Sequence, residues 1–284
     1  MSQFTPRLAR SAALVGLAAL ALAACGSSSS GDNGAAANPT GGPVLVSPGS
    51  LTVCTHLSYK PFEFKDDSGN VVGFDMDLAN AAAKQLGATD VKIVDIEFAS
   101  ITSGAVFAAK KCDIAMGAIT ITDKRKQTVN FSLPYFNATQ ALLTKKDSGV
   151  ADLASLKGKK VGVQTDTTGQ IYAEKNKDAN GYEMIIFDDL PTQLAGLQSG
   201  RVDAIINDNG PLLNFAQSNA GFQVVKEFDT GEQYGFVGQK NDANADKIMA
   251  GFNDALKKMV ADGSYKASYK KWFGSEPATM PTFS

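Results

Sequence analysis

Histidine occurs once, at position 56, and cysteine only at 25, 54 and 112, in a chain of 284 residues. So few nitrogen and sulfur donors, none of them clustered, exclude a zinc site of ordinary composition. Long apolar runs are missing too. The one near the N-terminus falls short of the about 20 residues that span a bilayer. Charge of neither sign dominates: 27 Lys and Arg stand against 29 Asp and Glu, a net of −2. With no basic patch, nucleic acid is not an expected partner. No nucleophile paired with a general base stands out, and nothing calls for a cofactor.

What is present begins with a leader. Arg7 and Arg10 precede an Ala/Leu-rich stretch over residues 12–24. A positive start, a short apolar middle and small residues at the end mark a secretory signal peptide over 1–24. Its end, Leu22-Ala23-Ala24-Cys25, resembles the lipobox of bacterial lipoproteins, with Cys25 as the lipidated residue. Residues 25–48 are rich in Gly, Ser, Ala, Asn and Pro, too polar to offset the entropy of ordering, and read as a flexible tether. Export leaves Cys54 and Cys112 in an oxidising compartment, where a disulfide is the expected state. Two small buried residues in separate strands are the alternative.

From Leu51 onward, strand-like and helix-like runs alternate. Strands are expected at 51–55, 91–96 and 113–118, with helices at 75–86 and 101–111. The pattern restarts near Lys157, with strands at 161–163, 184–187 and 202–206 and helices at 167–176 and 190–199. Residues 110–116 and 200–206 share a local phrase, a weak internal repeat. This grammar predicts an α/β protein of two similar lobes. A strand at 234–238 and helices at 245–261 and 265–273 would return the chain to the first lobe. Lobe 1 is then 49–140 with 237–284, and lobe 2 is 141–236. Two extended crossings between them make a hinge over a cleft.

Ligands of open α/β sheets sit beyond the carboxyl ends of the strands. A free amino acid there needs a fixed cation for its carboxylate and a fixed anion for its ammonium, because burying either unpaired is costly. Arg125 is the candidate cation, its planar fork matching a carboxylate. Thr167 and Thr168 open a helix whose N–H groups can share that carboxylate. Gln164 precedes them. Asp208 is the candidate anion, and Thr120 adds a hydroxyl or carbonyl. Tyr59 and Phe98 are expected to sandwich the apolar part of a ligand side chain.

Several phrases in order carry a family resemblance: Pro61-Phe-Glu-Phe64, Val72-Gly-Phe-Asp-Met-Asp-Leu78, Ile119-Thr-Ile-Thr-Asp-Lys-Arg-Lys126, Asn130-Phe-Ser-Leu-Pro-Tyr135, Gly200-Arg-Val-Asp-Ala204 and Tyr269-Lys-Lys-Trp-Phe-Gly274. The chain resembles the family 3 extracellular solute-binding proteins of amino-acid ABC transporters. The resemblance implies a type II (Venus-flytrap) periplasmic-binding-protein fold with a two-strand hinge. It also implies a free amino acid as ligand, permease subunits as partners, a monomer, and an extracytoplasmic place on the cell membrane. Carried over by position, Arg125 holds the ligand carboxylate and Asp208 the ammonium. Thr120 opens the arginine segment, Ala118 is the small residue two before it, and Tyr59, Phe98, Thr167 and Thr168 match the family's site positions. Two departures stand out. Asp166 occupies a position where relatives commonly have glycine, and is expected to cap the helix or perturb the carboxylate site. His56 replaces a frequent aspartate, and its contact with a ligand side chain would argue against a purely cationic ligand. The competing readings are an enzyme on the same scaffold, resembling cyclohexadienyl dehydratases, and a sensory ligand-binding domain. The retained Arg125–Asp208 pair argues against the enzyme.

Overall fold

The computed structural model describes residues 42–283. The expected signal peptide and Cys25 lie outside the described residues. Among the described residues no helix is long and apolar enough to cross a membrane.

The first lobe is built on β1 (Ser50–Thr55), buried along all six residues as a central parallel strand must be. A small hairpin follows, β2 (Phe64–Lys65) with β3 (Val71–Val72), then α1 (Phe74–Gln85) and β4 (Asp90–Asp95). The run expected as one helix over 101–111 is two short ones, α2 (Phe98–Thr102) and α3 (Ala105–Ala108). Gly104 breaks it at φ +79°, where a Cβ would lie 2.9 Å from the Thr128 carbonyl oxygen. The strand expected over 113–118 is only β5 (Ile114–Ala115), since the chain turns away at Gly117 (φ +142°) and Ala118 (φ +49°). β6 (Val129–Phe131) completes the outward leg.

The second lobe holds β7 (Phe136–Lys145), β8 (Lys160–Gln164), α4 (Thr168–Asn180), β9 (Glu183–Phe187), α5 (Leu190–Ser199), β10 (Ala204–Asp208), α6 (Asn209–Ser218) and β11 (Phe222–Tyr234). Its helices carry local start and stop signals. Asp189 caps α5 by accepting from Thr192 N at 2.7 Å, and Gly200 ends it at φ +78°. The chain then returns through β12 (Val237–Gln239), α7 (Ala243–Asp262) and α8 (Ser264–Phe273).

The two sheets have the same plan. The first runs β4-β1-β5-β12-β6 and the second β9-β8-β10-β7-β11. In each, three parallel strands are followed by two antiparallel ones. The weak repeat in the sequence corresponds to β5 and β10, which hold equivalent places. The sheet changes at Phe136 on the way out and between Tyr234 and Val237 on the way back, so the boundary expected at 140 falls inside β7. Phe136 and Tyr234 are register partners with stacked rings 5.5 Å apart, and Phe62 of the first lobe packs edge-on against both.

Two features fasten the first lobe. Cys54 on β1 and Cys112 before β5 are joined, with Cα atoms 5.7 Å apart across a separation of 58 residues. Closing such a loop stabilises by about 4 kcal/mol in the chain-entropy description. The expected tether also ends earlier than residue 48. Val44 exchanges two 2.7 Å hydrogen bonds with the Asn244 side chain, Val46 N donates to Asp113 Oδ1 at 2.7 Å, and Leu45 packs on the core. The short apolar run at 44–46 is enough to dock once side-chain amide and carboxylate groups satisfy its backbone.

Candidate functional site

A small cavity of about 20 Å³ lies between the lobes. All ten residues expected to bind ligand line it: His56, Tyr59, Phe98, Ala118, Thr120, Arg125, Gln164, Thr167, Thr168 and Asp208. They come from the ends of β1, β4, β5, β8 and β10 and from the segments after them, as the strand-end argument requires.

Arg125 begins a single 3-10 turn, Arg125–Gln127, and its side chain is buried. Nη1 donates to the Thr120 carbonyl at 3.0 Å and Nη2 to the Asp166 carbonyl, on the other lobe, at 2.9 Å. Three of the five guanidinium N–H donors are left for a ligand. Burial pulls the Arg125 pKa down, and the charges of Asp208 and Glu232 oppose that pull. Phe98 does more than line the cavity: its ring face carries the guanidinium at 5.1 Å. One face of the Phe98 ring is thus engaged by the Arg125 guanidinium.

Asp208 closes β10 and is buried. It accepts from Gln140 Nε2 at 2.6 Å and from the Tyr234 hydroxyl. Burial, then the nearby Glu232 charge, raises its pKa to about 6. Glu232 itself accepts from Gln140 Nε2 at 3.0 Å, Thr168 Oγ1 at 3.1 Å and Thr120 Oγ1 at 3.4 Å. Tyr59 OH donates to Asn207 Oδ1 at 2.7 Å, and Asn207 Nδ2 donates to Gln164 and Gln193 in turn. This amide chain fixes which way the Gln164 side chain faces. His56 is held by a 3.1 Å contact from Nδ1 to the Ile96 carbonyl, which only accepts. Nδ1 therefore carries a proton, and Nε2 is buried without a hydrogen-bond partner.

Thr167 is the N-cap of α4, its hydroxyl accepting from Gln170 N at 3.1 Å, so Asp166 is not the cap. Asp166 instead takes a left-handed backbone, φ +58°, a conformation glycine adopts without cost.

The whole described α/β body has known counterparts. The model for bacterial extracellular solute-binding proteins, family 3, matches residues 51–275. The chain belongs to that family. This solute-binding protein is 36% identical to the probable histidine-binding protein of Neisseria gonorrhoeae over 93% of its length and 95% of the relative's. It is 34% identical to the ABC transporter glutamine-binding protein GlnH of Bacillus subtilis (strain 168), covering 94% and 98% of the two chains. Among solved structures, an ancestral arginine-binding protein bound to arginine superposes with a TM-score of 0.72 at 40% identity, over 80% of this chain and 99% of that one.

Four residues of the site went unread in the sequence of this solute-binding protein: Gln140, Glu232, Tyr234 and Glu63. The first three lie on the crossing strands. Glu63 sits inside the Pro61–Phe64 motif, where its place in the motif was the only available signal.

Proposed function

We propose that the cavity binds a free α-amino acid, with Arg125 holding its carboxylate and Asp208 its ammonium. One observation carries this reading: a buried cation from one lobe and a buried anion from the other line a single cavity. The N-terminus of α4 at Thr168 adds N–H groups for the carboxylate, and Glu232 and Tyr59 border the ammonium end. Contacts already span the lobes, among them Arg125 to Asp166, Thr120 to Thr168 at 3.3 Å and to Glu232 at 3.4 Å, and Tyr59 to Asn207. A ligand touching both lobes adds to them and favours the closed form. His56 Nε2, buried at the cavity wall without a partner, supports a ligand side chain with a polar group there.

The bound amino acid is handed to the permease of an ABC importer by a protein held extracytoplasmically through Cys25. That part of the proposal rests on the leader and on family membership. It predicts that Cys25→Ser moves the protein from the membrane fraction to the soluble one.

Calorimetric titration with L-histidine, L-arginine and L-glutamine tests the site. Arg125→Ala and Asp208→Ala should each weaken binding by about 2–5 kcal/mol with little change in unfolding temperature, and wild-type affinity in either would remove the assigned pose. The dehydratase reading requires turnover of prephenate or arogenate, and none is expected.

A further inference from the structure

Beneath the cavity lie two carboxyl groups that the ligand chemistry does not use. Glu63 and Asp75 are both 0% exposed, and both reach the turn at Gly117: Asp75 Oδ2 accepts from Gly117 N at 3.2 Å, and Glu63 Oε1 lies 3.6 Å from where a Gly117 Cβ would stand. Glu63 also lines the cavity. None of the salt bridges among the described residues reaches either group. The titratable groups around them are tyrosines: Tyr135 before β7, Tyr265 on α8 and Tyr59 after β1. All three have pKa values raised by burial and stay neutral.

The donors are shared unevenly. Asp75 Oδ2 accepts from Tyr135 OH at 2.9 Å, Ala118 N at 3.1 Å and Gly117 N at 3.2 Å. Asp75 Oδ1 and both Glu63 oxygens have no donor at all. Two adjacent carboxylates in a dry, cation-free site cannot both ionise. The group with three donors is the one that keeps its charge. A proton on Glu63 pointing at Asp75 Oδ1 satisfies both orphaned partners at once.

We propose that Glu63 carries a proton and donates it to Asp75 Oδ1, and that Glu63 thereby acts as a positioning residue for the cavity wall at Gly117 and Ala118. The wall needs holding. Gly117 at φ +142° and Ala118 at φ +49° are in conformations that cost free energy, and Asp75 Oδ2 grips the N–H of each. Without the Glu63 proton, Asp75 carries its charge against a second buried charge, and the grip on the turn weakens. Burial and the Asp75 charge both raise the Glu63 pKa well above the carboxylate range, in line with this assignment.

The inference rests on the amino-acid reading only for its binding readout. Infrared spectra of the full chain at neutral pH should show a protonated-carboxyl C=O band that shifts when glutamate side chains are isotopically labelled. The band should be missing in Glu63→Gln. Glu63→Gln keeps an N–H donor toward Asp75, so its affinity for L-arginine, L-histidine or L-glutamine should stay within about threefold of wild type. Glu63→Leu, with no donor, should lose about tenfold or more. As pH rises into the alkaline range, wild type should lose affinity more steeply than Glu63→Gln, since deprotonation of the ligand ammonium weakens both alike. A missing glutamate band, or equal affinities for the Gln and Leu variants, overturns the proposal. If none of the three amino acids binds wild type, the amino-acid reading fails while the labelled band still decides where the proton sits, and that spectrum needs no variant to fold.

Discussion

Acidification should weaken ligand binding through Asp208, and the structure sets the size of the effect. Burial and Glu232 raise its pKa from 3.8 to about 6 in the empty site. A shift of about two units corresponds to roughly 3 kcal/mol spent holding the charged form. The sign for stability follows. A carboxyl whose folded pKa exceeds its unfolded one contributes stability below about pH 4, and that contribution is lost as pH rises through about 6. A ligand ammonium beside Asp208 reverses the balance, because an opposite charge at contact favours the carboxylate. Below about pH 6 the ligand must therefore displace a proton. Affinity should fall by up to about tenfold per pH unit there and level off above about pH 7. Titration calorimetry in buffers of different ionisation enthalpy measures the proton count directly: close to one released per ligand near pH 5, close to none above pH 7. Glu232→Gln removes the second cause of the shift and should move the midpoint to lower pH. A flat affinity between about pH 5 and 7, with no proton released, would refute the reasoning.

Three further outcomes are expected. Arg125→Ala should weaken binding by about 2–5 kcal/mol, since it removes one partner of a buried charge pair, and Arg125→Lys should recover only part of that because it lacks the fork. Gly210→Ala places a Cβ 2.8 Å from the Phe62 ring at the contact between α6 and the first lobe. It should hold the lobes apart, seen as a larger radius of gyration by X-ray scattering and an affinity loss of about 1–3 kcal/mol, with the apo unfolding midpoint little changed. Replacing Cys54 and Cys112 together by serine should lower the unfolding free energy by about 2–5 kcal/mol in denaturant titration while leaving the cavity residues in place.

Arg125, Asp208 and Thr120 were legible because each belongs to a short phrase whose spacing follows from a strand end and the turn after it. Elements with strong local periods, such as α1, α5 and α7, were legible for the same reason. β11 was not. Its register slips between Val224 and Lys226 and again between Phe228 and Glu232, so no unbroken period of two runs through it. Glu232 went unread with its strand. α6 was not among the expected helices; Pro211 stands in its first turn, where a proline removes no helical hydrogen bond.

Local order along the chain was thus sufficient for the alternation of strands and helices, the two-lobed plan and the charged pair that lines the cavity. Those follow from spacing, side-chain chemistry and turn residues that act on near neighbours. The pairing of Phe98 with Arg125, the carboxylate of Glu232 among Thr120, Gln140 and Thr168, and the approach of Glu63 and Asp75 to the turn at Gly117 depend on which distant segments meet. Such contacts are set by packing and sheet register between parts of the chain far apart in sequence, and those are properties of the folded molecule as a whole.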